Sequence, residues 1–257
     1  MTLLVDPIAL WLMATRLSGW MLISPGFNEI NTPMMTRAAM IAWLSFLLLP
    51  TVGPVHAQIS TLPDLIVVML GEFIIGAGYG LTLRLIFAAV EFGGVLIDSE
   101  LGYSYAAQVN PTVPPTSGVF SRLFLLLAVL YFWITDYFRV VVAALHEGFV
   151  LVPLGSLQRS LFDIGGLVKL SGAIFVGGLT FAAPIMALMF FVTITIGFLA
   201  RTVQGVNLFS ETFILKIVVG LSGCLLLMPL LFLLMRIELE KLIPMSSEYF
   251  KFLSSGE

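Results

Sequence analysis

Four charged side chains, Glu72, Arg84, Glu91 and Asp98, interrupt the otherwise apolar stretch 64–98. Arg84, Glu91 and Asp98 recur every seven residues, two helical turns apart, and so share one stripe of a helix. A charge at the centre of a bilayer costs at least ~2.5 kcal/mol, so this stripe must face protein or water. Asp136 and Arg139 add an i,i+3 pair of opposite sign, the spacing at which helical neighbours neutralise each other. Two roles fit these residues. They can pair with neighbouring helices or sibling subunits and so specify an interface, or they can line a proton or ion path. The closeness of opposite signs in sequence favours pairing.

Other chemistry-bearing patterns are incomplete. His146-Glu147-Gly148-Phe149-Val150 begins like the zinc-protease motif HExxH, but valine stands where the second imidazole belongs. The other histidine, His56, lies in a short segment between apolar stretches. Pro115-Thr116-Ser117-Gly118 is superficially similar to an intramembrane serine-protease turn, yet lacks its leading glycine. No histidine follows on a later helix interior to act as base. There is no phosphate-cradling GxxxxGK. The lone cysteine, Cys224, sits in the apolar run LSGCLLLMP and reads as a small buried hydrophobe, with no disulfide framework or thiol cluster. No catalysis, cofactor or metal is expected.

The elements that must position these residues follow from composition. Of 257 residues 59% are hydrophobic and 11% charged, against ~25% charged in a soluble domain. The chain lacks the polar surface to face water, so it is an integral membrane protein or part of a hydrophobic assembly. A net charge of −3 gives no basic patch and disfavours nucleic acid. The N-terminus has no positive n-region, and Asp6-Pro7 interrupt it, so a cleaved signal peptide is not expected.

Six apolar stretches come near the ~20 residues a spanning helix needs: 3–24, 35–52, 64–98, 119–145, 166–200 and 213–243. The fold class predicted is all-α, in hydrophobic helical hairpins. Pro25-Gly26 ends the first stretch, Pro33 opens the second, and Asp64 suits the positive end of the third helix's dipole. The third and fifth stretches are too long for one untilted span and must tilt, bend or extend beyond the bilayer, with a bend expected at Pro184. Gly76 and Gly80, four residues apart, suit close helix packing. Grouping alternate loops gives Arg37, Arg122, Arg201 and Lys216 on one side against Arg159, Lys169, Arg236, Lys241 and Lys251 on the other, which sets no orientation. Between the third and fourth stretches runs SYAAQVNPTVPPTSG, Ser104 to Gly118, uncharged and too long for a turn. Irregular backbone at membrane depth is tolerated only under protein cover or beside water.

From the third stretch onward the order of residues resembles the FliR family of the bacterial flagellar export gate and its injectisome T-type counterpart. The likeness lies in the Gly-rich start of GEFIIGAGYGLTLRLIFAAVEFGGVLIDSELGYSYAAQVNP, its Arg-x-x-Phe-Ala-Ala core at Arg84 to Ala89, and the spacing from Gly102 to Pro111. HEGFVLVPLG at 146–155 looks like the family's Phe-x-x-x-Pro-x-Gly corner, and 200–216 is similar to its segment with Asn207 and Phe209. Asn110-Pro111 replaces the commoner Asp-Pro, Gln204-Gly205 replaces Pro-Gln, and Ile214 replaces a frequent proline.

The resemblance implies a non-enzymatic subunit of a type III protein-export gate in the bacterial inner membrane at the flagellar basal body. Much of that assembly stands above the bilayer plane. One such chain joins P-type and Q-type subunits in a helical ring, works beside the B-type export switch protein, contacts lipid, and passes unfolded exported proteins. It also implies a pore plug over 104–121 and its flank, carried by Tyr103, Ser104, Tyr105, Ala107, Asn110, Pro111, Pro114, Pro115 and Gly118. Small, uncharged residues stiffened by proline suit a plug, and tyrosine bulk suits a seal; a plain extramembrane loop fits the same residues. An injectisome subunit or an autonomous secondary transporter, the latter suggested by Pro184 and the intramembrane charges, are the alternative functions. An intramembrane hydrolase would need a nucleophile–base pair that the sequence does not supply.

Overall fold

The computed structural model describes residues 7–27, 32–52, 61–102, 118–156, 164–202 and 208–255, and every regular element among them is helical. In chain order these are α1 (Pro7–Ile23), α2 (Met34–Leu48) with a 3-10 turn (Leu49–Thr51), α3 (Leu62–Leu101), α4 (Val119–Ile134), α5 (Tyr137–Leu151), α6 (Ile164–Thr202), α7 (Leu208–Glu240) and α8 (Leu242–Ser255).

Helix ends fall where the sequence supplies their stops. Pro7 opens α1, a position where its missing N–H costs nothing. Thr61 and Asp64 cap α3 reciprocally. The Thr61 N–H and hydroxyl donate to Asp64 Oδ2 at 2.9 and 2.7 Å, and the Asp64 N–H donates back to Thr61 Oγ1 at 3.4 Å. At the other end Gly102 adopts φ +88° and donates its N–H to the Ser99 carbonyl, a left-handed stop that glycine takes without strain.

Two expected stretches divide. The stretch 119–145 is not one helix. It breaks at Thr135-Asp136, where α4 and α5 meet at 71°, and Asp136 takes φ 58°, a left-handed conformation that aspartate tolerates better than most residues. The last stretch, 213–243, gives way at Lys241 to a separate α8. The third and fifth stretches remain single helices of 40 and 39 residues, each ~60 Å long at ~1.5 Å per residue. Pro184 lies inside α6, which continues through it to Thr202.

The chain divides into two units. The first comprises Met1–Ile86, Val129–Leu170 and Lys241–Glu257. Its core is α1 laid against the first part of α3, with Leu12, Met13, Leu17, Trp20, Tyr79 and Leu83 buried. Glycines bring the two backbones together. A Cβ at Gly76 would overlap the Arg16 carbonyl, one at Gly80 would press on the Trp20 carbonyl, and one at Gly19 would overlap the Phe73 carbonyl. The four-residue spacing of Gly76 and Gly80 thus serves close helix approach. α8 packs on α5, its Phe250 ring against Gly148 and 4.9 Å from the Tyr79 ring. The Tyr249 hydroxyl donates to the Ile75 carbonyl at 2.9 Å, and the Tyr79 hydroxyl to Val141 at 3.2 Å.

The second unit comprises Phe87–Ala128 and Ser171–Glu240. Here the end of α3 crosses α6 at Gly93 and Gly178, where a Cβ on either would meet the other helix's backbone. Phe124, Phe181, Ile185, Met189, Leu231 and Met235 fill its core. Among the described residues, three helical segments are long and apolar enough to cross a membrane, or four if the bent α4–α5 pair counts as one.

Candidate functional site

The first unit buries an ion pair. Arg16 of α1 and Glu72 of α3 meet at 2.5 Å between Nε and Oε2, with side chains 0% and 2% exposed. The pair also grips the turn after α5. Arg16 Nη1 donates to the Val152 carbonyl at 2.8 Å, and the Gly155 N–H donates to Glu72 Oε1 at 2.8 Å. Gly155 sits at φ +81°, which lets its amide point at the carboxylate. The Arg16 guanidinium lies 4.8 Å from the Phe149 ring centroid. Phe149, Val152 and Gly155, within the corner 149–155 read from the sequence, are therefore wrapped around one buried Arg–Glu pair. Arg16 Nη2 has no hydrogen-bond partner among the described residues. The cluster is closed to solvent, so it holds three chain segments in register and offers no face to a solute.

The second unit has a buried carboxylate at a helix junction. Asp98, 4% exposed near the end of α3, accepts the Phe120 N–H on Oδ1 and the Ser121 N–H on Oδ2, each at 2.9 Å. These are first-turn amides of α4 that have no partner within their own helix, and a carboxylate there also meets the positive end of the dipole. The Ser121 hydroxyl donates to the Gly118 carbonyl at 2.8 Å. A second buried acid, Glu238 of α7, lies against Gly177 of α6.

The charge stripe read from sequence does not occupy one environment. Asp98 is buried, Glu91 is half-buried and Arg84 is exposed on the chain taken by itself. Asp136 and Arg139 are exposed at the α4–α5 break, where the Arg139 N–H donates to the Asp136 carbonyl at 2.9 Å. Of the plug residues, Tyr103, Ser104, Tyr105, Ala107, Asn110, Pro111, Pro114 and Pro115 lie outside the described residues, and Gly118 is at the threshold of α4. Asn207 also lies outside them, and Phe209 is in the first turn of α7.

Sequence reasoning passed over Arg16, Glu238 and α8. For Arg16 a signal existed. It is the one basic residue in the apolar stretch 3–24, and Glu72 is the one acid between Asp64 and Glu91. Among the described residues no group of three His, Cys, Asp or Glu side chains is placed to hold a metal ion. A shallow crevice lined by Phe124, Leu127, Met228, Leu231, Phe232 and Met235 has no polar group to orient a ligand.

Comparison with known proteins places this architecture. The family model for bacterial export proteins, family 1, matches residues 8–242. The chain is 26% identical over 212 residues to the flagellar biosynthetic protein FliR of Pectobacterium carotovorum subsp. carotovorum, covering 81% of this chain and 79% of that protein. It is 25% identical over 229 residues to FliR of Escherichia coli (strain K12), covering 86% and 87%. With FliR of Bacillus subtilis (strain 168) it shares 23% over 235 residues, covering 89% of each.

Proposed function

The chain belongs to family 1 of the bacterial export proteins, and we propose that it is a structural and gating subunit of the flagellar type III protein-export gate. It would act in the inner membrane at the flagellar basal body, joining P-type and Q-type subunits and the B-type switch protein around a channel for unfolded proteins. The relatives named above are flagellar proteins, which favours the flagellar over the injectisome system.

The observation that carries this reading is a family match along nearly the whole chain, joined to helices that the chain leaves uncovered. In the span Ile174–Leu199 only 17% of the most apolar window is buried, and Phe190, Phe191 and Phe198 stand open. Exposed apolar surface on this scale requires lipid or protein cover. Co-expression with P-type and Q-type partners should therefore yield a joint complex in mild detergent. Purification of the chain alone under those conditions overturns the assignment.

Occlusion falls to residues 104–121. Uncharged, proline-stiffened sequence fills a passage without binding a passing chain tightly, and Tyr103 and Tyr105 supply bulk. Deleting residues 110–117 should leave the complex assembled but leaky to ions and small solutes. Unchanged conductance in an assembled complex refutes this role.

A further inference from the structure

We propose that α3 and α5 form a helix-docking groove and that α8 is its separable occupant, a clasp that can leave while the rest of the first unit stays folded. Two adjacent aromatic residues carry the recognition. Tyr249 and Phe250 point about 100° apart around α8, so one reaches α3 and the other α5. The Tyr249 hydroxyl fills the space that a Cβ on Gly78 would take, and it donates to the Ile75 carbonyl at 2.9 Å. The Phe250 ring fills the space that a Cβ on Gly148 would take.

Gly78 therefore serves a different face from its neighbours. Gly76 and Gly80 meet the Arg16 and Trp20 carbonyls of α1, whereas Gly78 opens toward α8; it lies about 200° round α3 from either. The two notches, on separate helices, together read a helix with adjacent aromatic side chains, the first ending in a hydrogen-bond donor.

The floor of this groove is held without α8. The Tyr79 hydroxyl donates to the Val141 carbonyl at 3.2 Å and so ties α3 to α5 beneath the clasp. Its ring lies 5.9 Å from that of Tyr249 and 4.9 Å from that of Phe250. The Arg16–Glu72 pair joins α1, α3 and the turn after α5 through Val152 and Gly155. Removing α8 breaks none of these bonds. α8 itself buries Leu242, Phe250 and Leu253 and turns Glu248, Lys251 and Ser254 outward, the pattern of a helix with one docking face. It is also the first unit's last segment in chain order, set off from α7 by the break at Lys241. An element with its own set of contacts opens as its own cooperative unit.

Amide hydrogen exchange on the full-length chain in mild detergent, with the subunits that co-purify, tests this. The α8 amides should exchange together, about tenfold or more faster than those of α1 and of α3 around Tyr79. Phe250→Ala should speed α8 by about 100-fold or more and Tyr249→Phe by about fivefold, both leaving α1 at the parent rate. The Phe250→Ala chain should then bind an added peptide of residues 242–255 that the parent excludes, because its own tethered α8 no longer outcompetes the peptide. The same peptide carrying Tyr249→Ala and Phe250→Ala should not bind. One common exchange rate for α8 and α1 in the parent overturns the proposal, as does release of both together by Phe250→Ala, since α8 is then an inseparable part of the core. A Phe250→Ala chain with α8 released that takes up neither peptide, or both alike, overturns it too.

Discussion

Replacing Glu72 with alanine tests whether the buried Arg16–Glu72 pair holds the first unit together. The substitution leaves a guanidinium at 0% exposure with the Val152 carbonyl as its remaining hydrogen-bond acceptor, and it strips the Gly155 N–H of its acceptor. Breaking a buried ion pair from one side costs about 3–5 kcal/mol. An unsatisfied buried amide costs roughly 1–3 kcal/mol more. The two overlap, so the expected loss is about 4–6 kcal/mol. Arg16→Met should cost a similar amount, because the Glu72 carboxylate then stays buried without its cation.

The double variant Arg16→Met/Glu72→Met separates charge from packing. No buried charge remains, so the ~3–5 kcal/mol charge penalty is gone and the residual loss comes from the Val152 carbonyl and the Gly155 amide, roughly 1–3 kcal/mol each. The pair should therefore be less destabilised than either single variant, with a coupling energy of several kcal/mol. Unfolding in mild detergent, followed by tryptophan fluorescence, reads this directly, since Trp20 lies one helical turn from Arg16 in the same core. A Glu72→Ala loss below about 1 kcal/mol, or a double variant equal to the sum of the singles, refutes the clamp.

Four further outcomes are expected from the same unfolding measurement. Gly76→Ala should destabilise by about 1–3 kcal/mol or more, because its methyl meets the Arg16 backbone, which cannot swing away; Gly172→Ala, with nothing within 4 Å, should instead stabilise α6 by up to ~1 kcal/mol. Phe250→Ala should cost about 3–5 kcal/mol through the cavity left between Gly148 and Tyr79, while Tyr249→Phe, which removes one hydrogen bond to Ile75, should cost about 1 kcal/mol.

Composition and hydrophobic runs disclosed the helical class and most helix positions, because an apolar run bounded by Pro or Gly has few other ways to satisfy its backbone. The α4–α5 break was hidden for a physical reason. Nothing in the run through Ile134-Thr135-Asp136 is a helix breaker of the Pro or Gly kind, and the turn is made by an aspartate in a left-handed conformation. α8 was hidden because its residues are more polar than the runs before it, and its burial depends on Gly148 and Tyr79, far away in sequence. The heptad spacing of Arg84, Glu91 and Asp98 correctly placed three charges along one helix. It said nothing of their surroundings, which vary along α3 from exposed to buried. Arg16 and Glu72 are 56 residues apart, so each was visible as an anomaly but their meeting was not.

The distribution of polar groups separates two kinds of surface. Inside each unit, carboxylates are placed where backbone amides or a guanidinium need them: Glu72 on Gly155 and Arg16, Asp98 on Phe120 and Ser121. Glycines at the crossings remove side-chain volume so that the helices touch backbone to backbone. Outward, α6 presents Phe175, Val176, Phe190, Phe191 and Phe198, and α7 presents Leu225 and Leu226, with few charges among them. The polar locks that set register thus lie within the units, apart from the broad apolar faces. In a bilayer those faces gain little from burying apolar area and associate through close packing, so partner choice must rest on shape. Within each unit a glycine crossing, Gly19–Gly76 in the first and Gly93–Gly178 in the second, and a carboxylate lock keep the local helix packing in register. Substitutions at the locks should therefore weaken partner association even where the mutated residue touches no partner.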